Sequence, residues 1–271
     1  MYRNLSVNFH LTERCNMVCG YCFNHRHNTV RATPEQQRKI ITQLCDYGFS
    51  KISFVGGEPT LEPCLASLLH ICKRFGKTTM LITNGSLLHN RRDCLRLCDW
   101  VGLSVDSLAR ETNAMIGRCL PEPVTYRRIA DVIHEAGCRL KINTVVSRLN
   151  KYESMHEFIG ASRPERWKVL QVTKIEGQND TDFEKFAVSP KEFEGFVKRH
   201  AEFDSIIVPE NTENMLNSYL MLDHAGCFIG NSKQIYKKSP SILEIGVPAA
   251  LAFIDFDSAK YINRKAIYKW S

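Results

Sequence analysis

Three cysteines in one short loop carry the clearest chemical signal in the sequence. Cys15, Cys19 and Cys22 follow the spacing CxxxCxxC, and the aromatic Tyr21 directly precedes the last of them. Three thiolates in such a loop match three corners of a cubane cluster, and clusters of this kind are normally held by cysteines. Because a set of three leaves one iron open to a further ligand, the loop predicts a [4Fe–4S] cluster that binds a small molecule.

Two alternatives are open at this point. His25 and His27 follow the loop closely, and zinc uses a Cys₃His set tetrahedrally. The thiols are also compatible with a loop that binds no metal. A second motif favours the cluster, because the segment Gly-Gly-Glu-Pro at 56–59 begins 34 residues after Cys22, at the end of the second predicted strand.

The other cysteines show no second motif of this kind. Cys94 and Cys98 share a CxxxC spacing within a predicted helical segment, without a third partner. We interpret these two and the six scattered cysteines as structural. The scattered cysteines are Cys45, Cys64, Cys72, Cys119, Cys138 and Cys227.

Length and composition are those of one globular α/β domain. The chain has 271 residues, 44% of them hydrophobic and 24% charged, without an apolar run of the length of a membrane span. Eleven cysteines, an odd number in a long chain, argue against a secreted disulfide framework. The N-terminus lacks the apolar core of a signal peptide, so we expect a cytoplasmic protein. The net charge of +7 comes without a basic run, so no nucleic-acid arm is indicated.

Strand and helix patterns alternate along the chain and must position these motifs. Strands rich in Val, Ile, Leu and Phe are predicted at 5–11, 51–55, 78–83, 101–105, 139–146 and 167–173. The first helix is the best marked, because Thr33 and Gln36 form a capping box, Pro34 fits the first turn and Gly48 ends the helix. Further helices are predicted at 61–75, 87–97, 124–136, 151–159 and 190–201.

Six strand–helix units of about 30 residues predict a partial, TIM-like (βα)₆ barrel. We expect residues 1–202 to form this barrel and residues 203–271 to form a C-terminal extension that closes its open side. Active sites of such barrels lie at the carboxyl ends of the strands, and the cysteine loop and the segment 56–59 both fall there.

The cysteine loop and the segment 56–59 resemble the signature of the radical SAM superfamily, CxxxCxΦC with an aromatic Φ, followed by GGEP. The resemblance implies that the open iron binds S-adenosylmethionine (SAM) and that Gly56, Gly57 and Glu58 contact its methionine part. It also implies that one electron from a donor cleaves SAM to a 5′-deoxyadenosyl radical. Further SAM contacts implied by resemblance are Tyr21, Thr83, Asn84, Ser104 and Arg118.

A closer resemblance, to the viperin family, covers nearly the whole chain and includes stretches outside the general signature. These stretches are 15–23, 53–59, 83–86, 116–118, 140–150, 166–171, 211–223, 241–253 and 267–271. The resemblance implies conversion of a nucleoside triphosphate, CTP before UTP, to its 3′-deoxy-3′,4′-didehydro analogue, an antiviral chain terminator. It also implies hydrogen abstraction at C4′ and an electron donor of the flavodoxin or ferredoxin type, replaced in vitro by dithionite.

A triphosphate needs convergent cations, and three lie in or directly before predicted strands. Strand alternation puts Arg166 and Lys168 on one face, with Lys141 in the preceding strand. Charge-assisted hydrogen bonds are worth roughly 1.5–3 kcal/mol each, and no Walker-type loop is present to replace them. By resemblance, Lys51 and Asn143 also lie near the nucleotide, and Tyr268 closes over it as our candidate catalytic residue.

Animal members of the family begin with an amphipathic membrane helix, and this sequence has none before Leu5. We therefore expect either a soluble, microbial homologue or a trimmed chain, without a membrane partner. We also expect a monomer. Two other functions stay open: a single-cluster radical SAM enzyme with another substrate, and a non-catalytic interaction protein that contains the cluster.

Overall fold

The computed structural model describes residues 5–24 and 30–269, and their fold is built on one mixed sheet. Seven neighbouring strands run parallel in chain order, as the alternating sequence pattern predicts. They are β1 Ser6–Thr12, β2 Lys51–Gly56, β3 Thr78–Thr83, β4 Trp100–Ser104, β5 Arg139–Val146, β6 Arg166–Gln171 and β7 Ile207–Glu210.

The C-terminal part of the chain adds strands at the opposite edge, beside β1. The first of them pairs parallel with β1, and the other two continue antiparallel from it, which gives a sheet order of β10-β9-β8-β1-β2-β3-β4-β5-β6-β7. These strands are β8 Met221–Leu222, β9 Cys227–Gly230 and β10 Lys237–Ser241. The predicted partial barrel with a C-terminal extension is confirmed, and the parallel sheet continues past residue 202 into β7.

Helices connect the strands along the chain and pack against the sheet. They are α1 Pro34–Tyr47, α2 Leu65–Arg74, α3 Arg92–Leu95, α4 Arg110–Ile116, α5 Tyr126–Glu135, α6 His156–Ser162, α7 Pro190–Arg199, α8 Thr212–Met215, α9 Ile242–Leu251 and α10 Ser258–Asn263. Their apolar faces bury against the strands in one large core that includes Phe9, Phe54, Leu103 and Trp167. Within the described ranges, no helix is long and apolar enough to cross a membrane.

Local signals gave the most accurate predictions. The strands at 78–83 and 139–146 match β3 and β5. In α1, the Thr33 side chain accepts from the Gln36 amide, and the Gln36 side chain accepts from the Thr33 amide, so the capping box is present. Gly48 ends the helix in the left-handed region at φ 107°, a conformation that glycine adopts without strain.

The continuous helix predicted at 87–97 is wrong. A 3₁₀ turn at Leu88–Asn90 is followed, after a non-helical Arg91, by the single turn of α3. Arg91 donates to the carbonyl oxygens of Thr60 and Glu62, so a contact with a distant segment sets its backbone. Tertiary structure thus overrides a helical pattern that the sequence carries locally.

The helix predicted at 151–159 begins instead at His156, and α4 was not predicted at all. Asn150 explains the late start, because its side chain accepts from the Ser147 amide and donates to the Asp106 and Val145 carbonyls. These bonds hold residues 147–150 as a turn at the end of β5, and asparagine favours such turns over helix.

Candidate active site

A cavity of about 340 Å³ follows the inner face of the barrel, within the roughly 300–1,000 Å³ typical of small-molecule sites. All residues that the sequence analysis assigned to the cluster, to SAM or to the substrate line it. They are the proposed cluster ligands Cys15, Cys19 and Cys22, the proposed SAM contacts Tyr21, Gly56, Gly57, Glu58, Thr83, Asn84, Ser104 and Arg118, and the proposed substrate contacts Lys51, Lys141, Asn143, Arg166, Lys168 and Tyr268.

The cluster ligands and most SAM contacts lie toward the carboxyl ends of the strands, and most substrate contacts lie toward the amino ends. Lys51 is the first residue of β2 and Gly56 is the last, and Arg166 opens β6. At about 3.3 Å per residue, the five steps from Lys51 to Gly56 span about 16 Å. The carboxyl end, with the cysteine loop, is termed the cluster end, and the amino end, with the lysines, is termed the cation end.

The unpredicted helix α4 supports the cysteine loop. The amides of Val18 and Gly20 donate to the carbonyl oxygens of Gly117 and Ile116, at 3.1 and 3.0 Å. Gly117 has φ +85°, and a Cβ there would lie 2.4 Å from the Val18 oxygen. Because backbone meets backbone here, only glycine lets α4 end against the loop.

The three thiols lie together at the cluster end of the cavity. Burial raises the pKa of each of them, that of Cys19 to about 12, so metal binding must displace protons. Within residues 5–24 and 30–269, no three His, Cys, Asp or Glu side chains are arranged to hold one metal ion. A cubane binds each thiolate at a separate iron and does not need such convergence. The histidines of the zinc alternative, His25 and His27, lie outside the described residues.

Behind the loop, Tyr21 and Arg118 meet at Asp106. The Tyr21 hydroxyl donates to Asp106 Oδ2, and Arg118 Nε lies 2.7 Å from the same oxygen. The Val145 amide donates to Oδ1 at 2.8 Å, so both carboxylate oxygens are engaged. Asp106 therefore fixes the aromatic side chain beside Cys22 and a buried cation at the cluster end.

Gly56 and Gly57 are required by close backbone approach. A Cβ on Gly57 would lie 2.2 Å from the Arg14 oxygen, and one on Gly56 would lie 2.4 Å from the Thr12 oxygen. Gly56 also has φ +137°, a conformation that other residues adopt only with strain. The segment 56–59 is thus pressed directly against the chain that leads into the cysteine loop.

Glu58 organises the strand ends around it. Its Oε1 accepts from the Thr60 amide at 3.0 Å and from the hydroxyls of Thr60 and Thr83 at 2.5 and 2.7 Å, and its Oε2 accepts from the Asn84 amide at 2.8 Å. Burial raises the pKa of Glu58, and these four donors oppose the shift. Oε2, with a single donor, retains capacity toward the cavity that Glu58 lines.

A ring of amides and a hydroxyl joins β3 to the cysteine loop. Asn84 Nδ2 donates to Asn16 Oδ1 at 2.9 Å, Asn16 Nδ2 donates to Ser86 Oγ at 2.9 Å, and Ser86 Oγ donates to Asn84 Oδ1 at 2.7 Å. Asn16 directly follows Cys15, so the position of the first thiol depends on the turn after β3.

At the cation end, four of the predicted cations are buried together. Lys51, Lys141, Lys168 and Arg166 are between 4% and 9% exposed. Burial lowers the pKa of each, mutual repulsion adds to the lowering, and the pKa of Lys168 falls to about 8. Such a concentration of buried positive charge is costly without an anion, so the arrangement is that of an anion site.

The buried carboxylate of Glu210 partly balances this positive charge. Glu210 Oε1 lies 2.7 Å from Lys168 Nζ and 3.3 Å from a terminal nitrogen of Arg264. Tyr219 accepts from Lys168 and donates to Glu210 Oε2. Arg264 adds a fifth buried cation to this end, and its guanidinium lies 3.8 Å from the Tyr219 ring centroid.

Tyr268, near the end of the chain, lies at the cation end. Lys51 Nζ donates to the Tyr268 hydroxyl at 3.0 Å, and Arg166 lies over the Tyr268 ring at 4.3 Å. The ring packs edge-on against Trp100, with centroids 5.3 Å apart. Tyr268 thus lies beside two of the predicted phosphate-binding cations.

Among the residues of the site that were missed from the sequence, four contribute charges or hydrogen bonds described above. Asp106 directly follows the fourth predicted strand, where barrel enzymes place functional groups, so a positional signal existed. Glu210, Tyr219 and Arg264 lie in the last quarter of the chain, and no spacing in the sequence relates them to one another. Only the fold brings them to Lys168.

Comparison with known proteins agrees with this geometry. The family model "Radical SAM superfamily" matches residues 9–161, which include the cysteine loop and the segment 56–59. Barrel, thiol loop and glycine-lined cavity therefore define a radical SAM enzyme.

Comparison with curated relatives identifies the family within the radical SAM enzymes. A protein of Flammeovirga pacifica, described as S-adenosylmethionine-dependent nucleotide dehydratase, is 42% identical over 281 residues, covering 98% of this chain and 96% of that protein. Proteins with the same description from Lacinutrix mariniflava and Danio rerio are 38% and 33% identical, with 59% and 78% of their lengths covered. The chain belongs to the family of S-adenosylmethionine-dependent nucleotide dehydratases, as the resemblance to viperin implied.

Solved structures support the fold alone. The anSMEcpe enzyme with bound AdoMet and a peptide has a TM-score of 0.68 at 15% identity, covering 96% of this chain and 82% of its own. Streptococcus suis SuiB bound to S-adenosylmethionine has a TM-score of 0.65 at 18% identity, covering 83% of this chain and 60% of its own.

Proposed function

We propose that this nucleotide dehydratase converts CTP, or as second choice UTP, to the 3′-deoxy-3′,4′-didehydro nucleotide. The observation that carries the proposal is the two-ended cavity: thiols and Glu58 line one end, and five buried cations line the other. A nucleoside triphosphate carries about four negative charges at one end and its reactive ribose toward the other. The proposed orientation puts its phosphates at the cation end and its ribose toward the cluster end.

Cys15, Cys19 and Cys22 would hold a [4Fe–4S] cluster, and Gly56, Gly57 and Glu58 would hold SAM. When bound, this pair supplies a 5′-deoxyadenosyl radical that removes the hydrogen atom at C4′ of the ribose. The remaining change in the substrate is loss of the 3′ hydroxyl as water, with uptake of one electron and one proton. The chain's own contribution is to fix the ribose in place and to keep water away from it.

Each polar residue that was predicted from the sequence has a proposed part. Lys51, Lys141, Arg166 and Lys168 neutralise the triphosphate, and Asn143, which faces Lys168 across the strand pair, adds a neutral contact. Tyr21, Thr83, Asn84, Ser104 and Arg118 surround SAM. Tyr268 closes the cation end, and its position there favours closure over a role as the acid for hydroxyl loss.

The wider setting is part of the same proposal. Residues 1–202 would carry the radical chemistry, and residues 203–271 would close the nucleotide site. We expect a monomer in the cytoplasm, reduced by a flavodoxin- or ferredoxin-type donor, without nucleic-acid or membrane partners. Its product, which lacks a 3′ hydroxyl, would terminate viral RNA synthesis.

Parallel assays with single nucleotides test this function. The cluster is reconstituted anaerobically, SAM and dithionite are added, and CTP, UTP, GTP and ATP are supplied in separate tubes. We expect CTP to stimulate formation of 5′-deoxyadenosine most strongly and to lose the mass of one water. Slow formation of 5′-deoxyadenosine that no triphosphate stimulates would contradict the proposed substrate class.

A further inference from the structure

Glu210 lies where the barrel and the C-terminal extension meet. It is the last residue of β7 and is fully buried. Its three partners come from different parts of the chain: Lys168 from β6, Tyr219 from the segment between α8 and β8, and Arg264 from the end of α10. A single carboxylate therefore joins three elements at the cation end.

The partners are also fixed on their other sides. Arg264 donates to the Ser218 carbonyl oxygen at 3.0 and 2.8 Å, and its guanidinium lies over the rings of Tyr219 and Tyr261 at 3.8 and 4.9 Å. These contacts fix the orientation of the planar guanidinium, and Glu210 engages one of its terminal nitrogens. Lys168 and Arg264 both line the cavity.

We propose that Glu210 is a positioning residue of the phosphate site, which holds Lys168, Tyr219 and Arg264 as one rigid wall against which the triphosphate binds. This inference rests on the proposed function for the identity of the ligand. It goes beyond it by assigning an acidic residue, with the same charge sign as the substrate, a favourable effect on substrate binding.

Charge and position predict opposite results when the carboxylate is removed. If Glu210 acted only through its charge, Glu210→Gln would remove repulsion and tighten triphosphate binding. If Glu210 positions the wall, the same variant weakens binding, because two cations and a tyrosine lose their common anchor. The neutral amide has nearly the same size, so packing changes little.

Glu210 also determines how binding depends on pH. Burial lowers the pKa of Lys168 to about 8, and the Glu210 carboxylate is the strongest influence that opposes this lowering. Without the carboxylate, Lys168 loses its proton at a lower pH. The charged groups around Lys168 in this response are Glu210, Arg264, Arg166, Lys51 and Lys141. Triphosphate binding by Glu210→Gln should therefore begin to weaken at a lower pH than in wild type.

The test uses inorganic tripolyphosphate and CTP with cluster-reconstituted full-length protein, by calorimetry and steady-state kinetics between pH 6 and 9. We expect Glu210→Gln to weaken tripolyphosphate binding by roughly tenfold to a hundredfold at pH 8, less at pH 6, with KM for CTP rising similarly. Iron content should stay at the wild-type level. Glu213→Gln, which removes an exposed carboxylate paired with Lys260, is the matched control and should change neither value.

Glu210→Asp, which keeps the charge on a shorter side chain, serves if the amide variant does not fold. It should retain the wild-type pH dependence and still weaken tripolyphosphate binding. Unchanged or tighter tripolyphosphate binding by either variant overturns the proposal, as does a wild-type chain that does not bind tripolyphosphate. Wild-type binding without conversion of any nucleotide would instead remove the proposed function and leave the positioning role standing.

Discussion

Replacing Lys141 with methionine should have opposite effects on the stability of the fold and on triphosphate binding. Lys141 is 8% exposed, and burial together with the charges of Lys168, Lys51 and Arg166 holds its pKa well below the usual value. The wild-type chain therefore carries a poorly solvated charge at this position. Lys141→Met should make the protein more stable and a weaker binder of triphosphate.

Both magnitudes follow from this environment. Replacing buried charge with an apolar side chain of similar volume stabilises by about 1–4 kcal/mol, and at this size each kcal/mol raises Tm by about 2–4 °C. We expect an increase in Tm of about 2–16 °C at pH 7. Loss of one charge-assisted phosphate contact, worth roughly 1.5–3 kcal/mol, should raise KM about tenfold to a hundredfold.

The gain in stability has a definite pH dependence. The pKa of Lys141 is lower in the folded chain than in the unfolded chain. Between these two values the unfolded state binds more protons, so the stability of the wild type rises with pH. The advantage of Lys141→Met is therefore fully present below the folded pKa and narrows as pH rises toward the unfolded value, about 10.4.

Thermal unfolding at pH 7 and pH 9, with KM measured on the same reconstituted preparations, checks both effects. Lys39→Met is the control, because Lys39 is exposed on α1 and its replacement should change stability by under about 0.5 kcal/mol. A Lys141→Met variant that is less stable than wild type at pH 7, or that keeps the wild-type KM, would refute the reasoning.

Three further predictions concern the cluster end. Gly57→Ala places a Cβ 2.2 Å from the Arg14 oxygen, so we expect loss of SAM binding in equilibrium dialysis with the fold retained by circular dichroism; SAM binding at the wild-type level would contradict the close-approach argument. Cys22→Ser should lose most of the bound iron and the brown absorption after reconstitution, whereas the exposed Cys119→Ser should keep both. Asp106→Asn leaves the Arg118 charge buried without its partner, and we expect a loss of about 3–5 kcal/mol in the free energy of unfolding, measured by urea titration of the apoprotein; a loss below about 1 kcal/mol would show that the pair is not needed for stability.

A structural feature can be predicted from the sequence when the residues that determine it lie close together in the chain. The ends of α1 follow from Thr33, Gln36 and Gly48, all within one helix length, and they were predicted correctly. The break at Arg91 depends on carbonyl oxygens some 30 positions earlier, and no local pattern contains that information. The six predicted strands match β1 to β6 within two residues, because buried parallel strands read as continuous apolar runs, whereas the short strands β7 to β10 were not predicted.

The site shows the same division. Lys141, Arg166 and Lys168 were found because a cation inside an apolar strand is locally anomalous, and the structure places all three on the cavity wall. Glu210 and Arg264 carry no such mark, since an isolated carboxylate or guanidinium is an ordinary surface residue until the fold buries it. Their pairing, across 54 positions, is a property of the topology alone.

The separation of the two ends gives the fold a means of selecting its substrate. About 16 Å of β2 lies between Lys51 and Gly56, and the cofactor would occupy the part nearest Gly56. On the proposed assignment, a ligand reaches the reactive position only if its anionic end extends as far as the cations at the strand starts. A nucleoside without phosphates would have no charge to hold it at this depth, and a shorter phosphate chain would leave some of the five cations without a counterion. On this assignment, the length of the strands and the placement of charge along them would select for a triphosphate before any contact with the base does.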